Sequence, residues 1–164
     1  MNKPQEARRT EPQVTQPLVK DLMTKEVLTL TKEDSVKALR DIFELKRVRH
    51  VPITNDDNGL IGLVTQRDFL TIAVSKFAHF DRAELDEIYG RIKIGEIMGK
   101  KVATVIPDTP LGEAADLMYR HKYGCLPVVS EGRLVGIITE GDFVRAFARA
   151  FARSQSEEDC CGCS

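Results

Sequence analysis

The sequence contains an internal repeat, and this repeat restricts the possible folds more than any other feature. A short apolar run that opens with Gly and closes with Thr-x-x-Asp occurs at residues 62–68 and again at residues 136–142. Pro52 and Pro127 precede the two motifs at an offset of 75 residues, whereas the motifs themselves are offset by 74. The single deletion falls in a turn, where changes in length are tolerated. Each copy covers about 60 residues, which bury too little surface to be stable alone, so the two copies are expected to pack into one body.

Both copies predict the same order of elements, β-α-β-β-α. In the first copy we expect a strand over 27–30, a helix capped by residues 31–34, a hairpin over 51–65 and a second helix. The apolar faces of these two helices are predicted from residues at helical spacing, which are Val36, Leu39, Ile42, Phe43, Phe69, Ala73 and Phe77.

The second copy predicts a strand over 102–106, a helix, a hairpin over 126–139 and a closing helix. The apolar face of its first helix consists of Leu111, Ala114, Leu117 and Met118. Between the copies, Asp81 is the predicted N-cap of one short extra helix, expected on the surface and ending before Gly90.

These elements divide the chain into five segments. Residues 18–80 and 94–153 are predicted to be the two repeats, and residues 81–93 the inter-repeat helix and linker. Residues 1–17 and the acidic, Cys-containing residues 154–164 have few apolar anchors, so both are expected to be disordered or flexible tails.

The composition is typical of a compact cytoplasmic protein. Hydrophobic residues make up 42% of the chain and charged residues 30%, with a formal net charge of -1. The near-neutral charge argues against nucleic acid as a partner held by the overall field. No apolar stretch approaches the length of a membrane span and no signal peptide opens the chain, so we expect no membrane partner.

The two units resemble a tandem cystathionine-β-synthase (CBS) domain pair, or Bateman module. Each unit has a Met near its start (Met23 and Met98), a Pro-Ile or Pro-Val strand, and the Gly-x-x-Thr-x-x-Asp ending. The resemblance extends from about Leu18 to Ala152 and implies an α/β fold of two β-α-β-β-α CBS repeats related by a pseudo-twofold axis.

The resemblance also implies a ligand and an assembly. CBS pairs often bind adenosine-containing ligands between the repeats, so the implied ligand is AMP, ADP, ATP or another adenosine derivative, with no cofactor required. CBS pairs commonly form disk-like dimers, which implies a homodimer.

The Gly-x-x-Thr-x-x-Asp motif contains groups suited to a nucleotide. A carboxylate such as Asp68 can accept hydrogen bonds from both ribose hydroxyls. Thr65 precedes it by one helical turn, where its hydroxyl and the free N–H groups of the helix can bind phosphate. Gly62 leaves room for a flat base beside the strand. The remaining candidates of this kind are Leu63 in the first motif and Ile137, Thr139 and Asp142 in the second.

The same Thr-x-x-Asp sequence also has a purely structural interpretation. Thr followed three residues later by an acid at a helix start is a capping box, and residues 31–34 show that pattern with no ligand indicated. Capping and ligand binding can hold together.

Basic residues distinguish the two copies. Residues 46–50 contain four basic or potentially basic side chains ahead of Pro52, and Arg67 adds another beside the first motif. In the γ subunit of AMP-activated protein kinase, a member of the family that the pair resembles, basic residues two and three places before that proline reach ligand phosphates. By position these are His50 and Arg49. The second copy has Gly124, Cys125 and Gly141 at the matching positions, so phosphate binding is expected to favour the first site; a solvated helix end is the alternative explanation of the basic run.

The final helix repeats Phe143, Phe147 and Phe151 every four residues, with Val144 beside them. This stripe predicts a core-facing surface or, alternatively, a surface that packs against a second copy of the protein. The tail that follows contains a C-x-x-C pair whose thiols are weak candidates for metal ligands, since one such pair supplies too few; they are Cys160, Cys161 and Cys163.

No nucleophile motif, paired-carboxylate arrangement or Walker loop occurs, and the chain is not expected to be an enzyme. Our first hypothesis is a stand-alone regulatory CBS-pair protein that binds an adenine nucleotide between its repeats and signals to an unknown regulated protein. The alternative is a ligand-free dimerisation or scaffold module whose C-terminal tail senses thiols or metals.

Overall fold

The computed structural model describes residues 16–77 and 80–158. Within these residues the elements, in chain order, are α1 (Val19–Leu22), α2 (Val36–Lys46), β1 (His50–Thr54), β2 (Leu60–Thr65), α3 (Gln66–Phe77), α4 (Arg82–Arg91), α5 (Ile94–Ile97), α6 (Leu111–His121), β3 (Cys125–Ser130), β4 (Arg133–Thr139) and α7 (Glu140–Glu158). The predicted hairpins and long helices are therefore present in both copies. Among the described residues, no helix is both long and apolar enough to cross a membrane.

Each copy forms one antiparallel hairpin, and the two hairpins have matching registers. His50 lies opposite Thr65 at the open end of the first hairpin, and Cys125 lies opposite Thr139 at the same place in the second. Each hairpin leads directly into a helix, α3 or α7, so each Thr stands at the junction of a strand and a helix N-terminus. The repeats therefore have equivalent folds around a pseudo-twofold axis.

The strands predicted over 27–30 and 102–106 are wrong as strands, because each is reduced to a single parallel bridge. Leu30 donates its N–H to the carbonyl of Pro52 (3.3 Å) and accepts from the N–H of Thr54 (2.9 Å). The next rung towards the chain start would need an N–H from Pro52, which proline lacks. Val105 makes the equivalent bridge to β3, where Pro127 interrupts the ladder in the same way.

The cap of α2 also differs from the prediction. Thr31 donates from its N–H (2.6 Å) and its hydroxyl (2.9 Å) to the carboxylate of Asp34, but this pair closes the preceding turn. The N-cap is Ser35, whose hydroxyl accepts from the N–H of Ala38 at 3.3 Å. The helix thus begins one turn later than the capping prediction placed it, and residues 31–34 close the turn that precedes it.

The short opening helices are exchanged between the repeats. Val19 of α1 is fully buried in the core of the second repeat, together with Leu126 and Ile138. Ile94 of α5 is fully buried in the core of the first repeat, together with Val51. Each core therefore includes a helix from the segment that precedes the other repeat in sequence.

The spacing of Met and Gly, which recurs in the two copies, reflects this exchange. A β-carbon on Gly62 would lie 2.7 Å from Sδ of Met98, and one on Gly136 would lie 2.7 Å from Sδ of Met23. Each glycine thus makes room for the methionine that follows the exchanged helix. The prediction that Gly62 leaves room for a base is therefore wrong, since Met98 fills that space.

The inter-repeat helix α4 packs into the first repeat. Its N-cap is Asp81, as predicted, but Gly90 lies inside the helix and the C-cap is Ile92. Tyr89 is only 3% exposed and belongs to the first core, so the expectation of a surface insert is wrong. Arg40 of α2 donates to the Asp86 carboxylate at 2.5 Å and joins the two helices at their edge.

The hairpin turns also join the two repeats. Asn58, at a φ of 61°, donates its side-chain N–H to the carbonyl of Leu134 (2.8 Å). Its own carbonyl accepts from the N–H of Leu134 (2.9 Å). The turns and the exchanged helices together make one packed body of the two copies.

Candidate functional site

Both Thr-x-x-Asp motifs open into one cleft of about 1260 Å³ between the repeats. Five Lys or Arg side chains and four carboxylates line it, together with His50, so it offers both phosphate donors and ribose acceptors. The charged lining residues are Glu26, Arg47, Arg49, Arg67, Asp68, Lys122, Glu140, Asp142 and Arg145.

In each motif the Thr and the Asp bind each other. The Asp68 carboxylate accepts from the N–H (3.1 Å) and the hydroxyl (2.7 Å) of Thr65, and the Thr65 hydroxyl accepts from the N–H of Asp68 (3.2 Å). The Asp142 carboxylate accepts from the N–H and the hydroxyl of Thr139, both at 2.8 Å. The first motif thus forms the complete, reciprocal capping box, whereas in the second the hydrogen bonds run from the Thr to the Asp carboxylate. Both arrangements fix the carboxylate at the first turn of its helix.

The two carboxylates differ in what remains free. Asp142 is 4% exposed, and its second oxygen, Oδ1, accepts from a guanidinium N–H of Arg145. Asp68 is exposed, and among the described residues no donor reaches its second oxygen. The first motif is thus open to a ribose as it stands, whereas the second is closed by an ion pair.

One wall of the cleft comes from the segment that follows α1. Thr24 and Ile137 exchange backbone hydrogen bonds of 2.9 Å in both directions, which fixes this segment beside β4. Val27 and Leu28 follow it along the cleft. The segment after α1 therefore contributes two apolar side chains, Val27 and Leu28, to the lining of the cleft.

Another part of the cleft lining is the basic connection between α2 and β1. Arg47 adopts a left-handed conformation with φ of 53°, which ends α2 and turns the chain into the cleft. The carbonyl of Arg49 accepts from the N–H of Gln66 at 2.9 Å, so Arg49 is fixed beside the start of α3. Lys122 ends α6 in the same left-handed conformation and adds a cation from the second repeat.

His50 lies where the two repeats meet inside the cleft. A β-carbon on Gly124 would lie 2.8 Å from its Nε2, so the imidazole rests against the glycine of the other repeat. Burial, with the positive charge of Arg49, lowers the pKa of His50 below its ordinary value of 6.5, and Glu140 and Asp68 oppose this shift. His50 is therefore neutral at pH 7 and can act as a donor or an acceptor.

The cleft collects all but one of the site residues predicted from sequence. Those that line it are Arg49, His50, Thr65, Arg67, Asp68, Ile137, Thr139 and Asp142. Leu63 does not line it; its backbone pairs with Gly99 on the other side of the hairpin, in hydrogen bonds of 3.0 Å. This is the counterpart of the bridge between Thr24 and Ile137, but neither Leu63 nor Gly99 is among the residues that line the cleft.

Sequence reasoning missed several lining residues. Lys122 and four residues of the segment after α1 reach the cleft only through the exchange of helices and the approach of the repeats. The four are Thr24, Glu26, Val27 and Leu28. Arg145 carried a usable signal, because a position three residues after Asp142 lies on the same face of a helix.

The cysteines give no metal site within the described residues, where no cluster of His, Cys, Asp and Glu is found. Cys125 occupies the position equivalent to His50, and burial raises the pKa of its thiol to about 12. It therefore stays protonated and unreactive. Cys160, Cys161 and Cys163, the weak candidates for metal ligands, lie outside the described residues.

Comparison with known proteins agrees with this geometry. The sequence model of the CBS domain matches residues 19–75 and 94–149. Protein MJ1225 of Methanocaldococcus jannaschii is 36% identical over 134 residues, which are 82% of this chain and 44% of that protein. A homoserine O-acetyltransferase of Methanococcoides burtonii is 32% identical over 133 residues, which are 80% of this chain and 24% of that enzyme. This chain thus spans less than half the length of these relatives, and in the enzyme it matches one part only.

Two solved structures with bound adenosine compounds share the fold. CBSX2 in complex with AMP has a TM-score of 0.67 and 29% identity, and the match covers 81% of this chain and 97% of CBSX2. The CBS domain pair of protein MJ0100, in complex with 5′-methylthioadenosine and S-adenosyl-L-methionine, has a TM-score of 0.69 and 26% identity over 82% and 98% of the two chains. With two domain matches, two equivalent hairpin units and these structural neighbours, the chain belongs to the CBS domain family and carries the domain as a tandem pair.

Proposed function

We propose that the protein is a regulatory module that binds an adenine nucleotide in the cleft between its repeats and transmits the bound state to a partner protein in the cytoplasm. The observation that carries this proposal is the single cleft in which two helix-capping carboxylates face a basic wall. The adenosine compounds bound by the CBS pairs of CBSX2 and MJ0100 support an adenosine-containing ligand. The proposed role is regulatory and not catalytic.

The apolar and basic residues that line the cleft favour one orientation of the ligand. The base would lie against Val27, Leu28 and Ile137, which are apolar residues of the cleft lining. The ribose hydroxyls would donate to Asp142 once Arg145 has left its carboxylate, and the phosphates would extend towards Arg49 and His50 of the other repeat. In this orientation the first repeat binds the phosphates and the second repeat binds the ribose, so the ligand links the two repeats.

A transmitted signal requires that the ligand prefer one arrangement of the repeats. The phosphate-binding and ribose-binding groups belong to different repeats, so their spacing depends on how the repeats are packed. A ligand that contacts both sides would stabilise the arrangement in which that spacing fits. AMP, ADP and ATP differ in phosphate length, and the cleft can therefore respond differently to each.

The C-terminal helix provides a surface for the proposed homodimer. Val144, Phe147 and Phe151 are 68%, 65% and 58% exposed, and the two phenylalanine rings lie 4.6 Å apart. The prediction of a core-facing stripe holds for Phe143, which packs on the second core, but not for the other two rings. The exposed part favours the alternative prediction, a second copy of the chain as partner.

A thermal-shift panel of AMP, ADP, ATP and S-adenosylmethionine tests the nucleotide proposal. A ligand at about 100 times its Kd should add about 2.7 kcal/mol to the free energy of unfolding. Asp142→Asn and Asp68→Asn should each be compared with the wild type to find the carboxylate that holds the ribose. Asp116→Asn is the matched control, because Asp116 pairs with Arg120 on α6 and does not line the cleft.

A ligand-free dimerisation or scaffold module is the second candidate. It is favoured by the hydrogen bonds within the motifs, since a Thr hydroxyl already occupies one oxygen of each Asp carboxylate. If no compound in the panel shifts the melting temperature while the protein is dimeric in solution, the scaffold function replaces the nucleotide function.

A further inference from the structure

Arg145 closes the second ribose acceptor. Its guanidinium donates to Oδ1 of Asp142, while the other oxygen of that carboxylate is occupied by Thr139. The side chain of Asp142 is 6% exposed, whereas that of Arg145 is 53% exposed. The acid is thus fixed and buried, whereas the arginine that covers it is free to leave towards solvent or into the cleft that it lines.

The first repeat has no such closure. The residue equivalent to Arg145, at the offset of 74 that relates the two motifs, is Thr71. Its hydroxyl donates to the carbonyl of Arg67 at 2.9 Å and leaves the Asp68 carboxylate uncovered. The closure is therefore a property of one copy and not of the duplicated motif.

We infer that Arg145 is a specificity-determining residue, which makes the Asp142 site select phosphorylated nucleosides over uncharged ones. This inference rests on the proposed function, since it takes Asp142 as a ribose acceptor. A ribose that binds Asp142 through both oxygens must first displace Arg145 from Oδ1. A nucleotide brings a phosphate that can pair with the released guanidinium, whereas an uncharged nucleoside breaks the ion pair and replaces it with nothing.

The chemistry predicts which affinity a substitution changes. A hydrogen bond between charged groups is worth enough to change Kd by about tenfold or more. When AMP binds, Arg145 loses its ion pair with Asp142 and gains one with the phosphate. Because these two changes offset each other, removal of Arg145 changes the Kd for AMP little. For adenosine, removal of Arg145 abolishes the cost of opening the site and should lower Kd by about tenfold. An arginine that only bound phosphate would behave differently, because its removal would weaken AMP binding and leave adenosine binding unchanged.

The test is isothermal titration of the full chain with AMP and with adenosine, in an Asp68→Asn background that removes the first ribose acceptor. Arg145→Thr copies the residue of the first repeat. We expect the preference for AMP over adenosine to fall by about tenfold, through tighter adenosine binding. The reverse exchange, Thr71→Arg in an Asp142→Asn background, should create the same preference at the Asp68 site. Urea unfolding of each variant checks that it is folded.

The outcomes separate the inference from the proposed function. If AMP binds the Asp68→Asn protein but Arg145→Thr leaves the ratio of the two Kd values unchanged, or changes it only through AMP, the inference is wrong and the proposed function stands. If Asp68→Asn abolishes all binding, the ribose is held at Asp68 and the inference is overturned. If neither ligand binds the wild type, the proposed function and the inference both fail.

Discussion

Gly124 lies against the imidazole of His50, so closely that a β-carbon at Gly124 would stand 2.8 Å from Nε2. The glycine belongs to the second repeat and the histidine to the first. We predict that Gly124→Ala displaces the imidazole from the cleft while the protein stays folded, since the end of a side chain can move. The Kd for AMP, measured by isothermal titration, should rise several-fold.

Gly90→Ala is the matched control for this change. Gly90 lies inside α4, and a β-carbon there would meet nothing within 4 Å. Alanine in a helix interior is favoured over glycine by about 0.5–1 kcal/mol, so this variant should be more stable and bind AMP normally. Equal AMP binding by the Gly124→Ala variant and the wild type would show that His50 takes no part in the site.

The low pKa of His50 predicts a pH dependence of stability. Burial and Arg49 lower the pKa of His50 below 6.5, so the unfolded chain binds a proton there at a higher pH than the folded chain does. The contribution to stability is complete above about pH 6.5 and is lost as the pH falls towards the folded pKa. Urea unfolding at about pH 7.5 and 5.5 should show a larger decline for the wild type than for His50→Gln. Equal declines would contradict the assignment.

The contact between Gly62 and Met98 predicts that a larger residue at position 62 lowers the free energy of unfolding. In Gly62→Ala the new β-carbon would stand 2.7 Å from Sδ of Met98 and 3.2 Å from the carbonyl oxygen of Gly99. Overpacking of this kind costs about 1–3 kcal/mol. The double variant Gly62→Ala, Met98→Ala should recover part of that loss if the sulfur is the obstacle. An unchanged free energy of unfolding in Gly62→Ala would contradict the close packing of Met98 on this glycine.

The burial of Tyr89 predicts that the packing of α4 on the first core contributes strongly to the free energy of unfolding. Its ring lies 5.6 Å from that of Phe69, in an edge-on arrangement, and 5.9 Å from the Arg40 guanidinium. Replacing a buried aromatic residue with Ala costs about 3–5 kcal/mol, and we expect a loss in that range for Tyr89→Ala in urea unfolding. Ile106→Ala, at a residue 59% exposed, should change the free energy of unfolding by less than about 0.5 kcal/mol.

The exposed rings of α7 predict that a charged residue introduced there changes the oligomeric state of the protein. A buried unpaired charge is costly, so Phe147→Glu should convert a dimer to a monomer in analytical ultracentrifugation. Leu45→Glu, at an exposed apolar residue on α2, should leave the assembly unchanged. A wild type that is monomeric at every concentration tested would remove the proposed interface.

The local parts of the fold were predictable from sequence because their signals are local. Apolar residues at helical spacing located α2 and α6, and the turns between paired β-prone runs located both hairpins. The segment around Leu30 looked like a strand, but the missing N–H of Pro52 limits it to one bridge. Pro52 is visible in the sequence, but its effect can be predicted only once it is known that the segment around Leu30 pairs with β1.

The individual residues of the site could be predicted from the sequence, but their arrangement around the cleft could not. Thr65, Asp68 and their counterparts were visible as a duplicated motif, and Arg49 and His50 as a basic run. The sequence pattern assigned those cations to the carboxylate of their own copy, whereas the cleft presents them to Asp142 as well. Pairing across copies depends on tertiary contacts that no local pattern encodes.

The exchanged opening helices have a consequence for how the chain can be divided. A cut between α4 and α5 would separate each hydrophobic core from a helix that fills it, because Val19 and Ile94 would leave with the opposite fragments. Neither fragment would be a complete domain, and the two should regain a native fold only when mixed. A duplicated gene with this pattern of exchange could no longer lose one copy and keep the other functional.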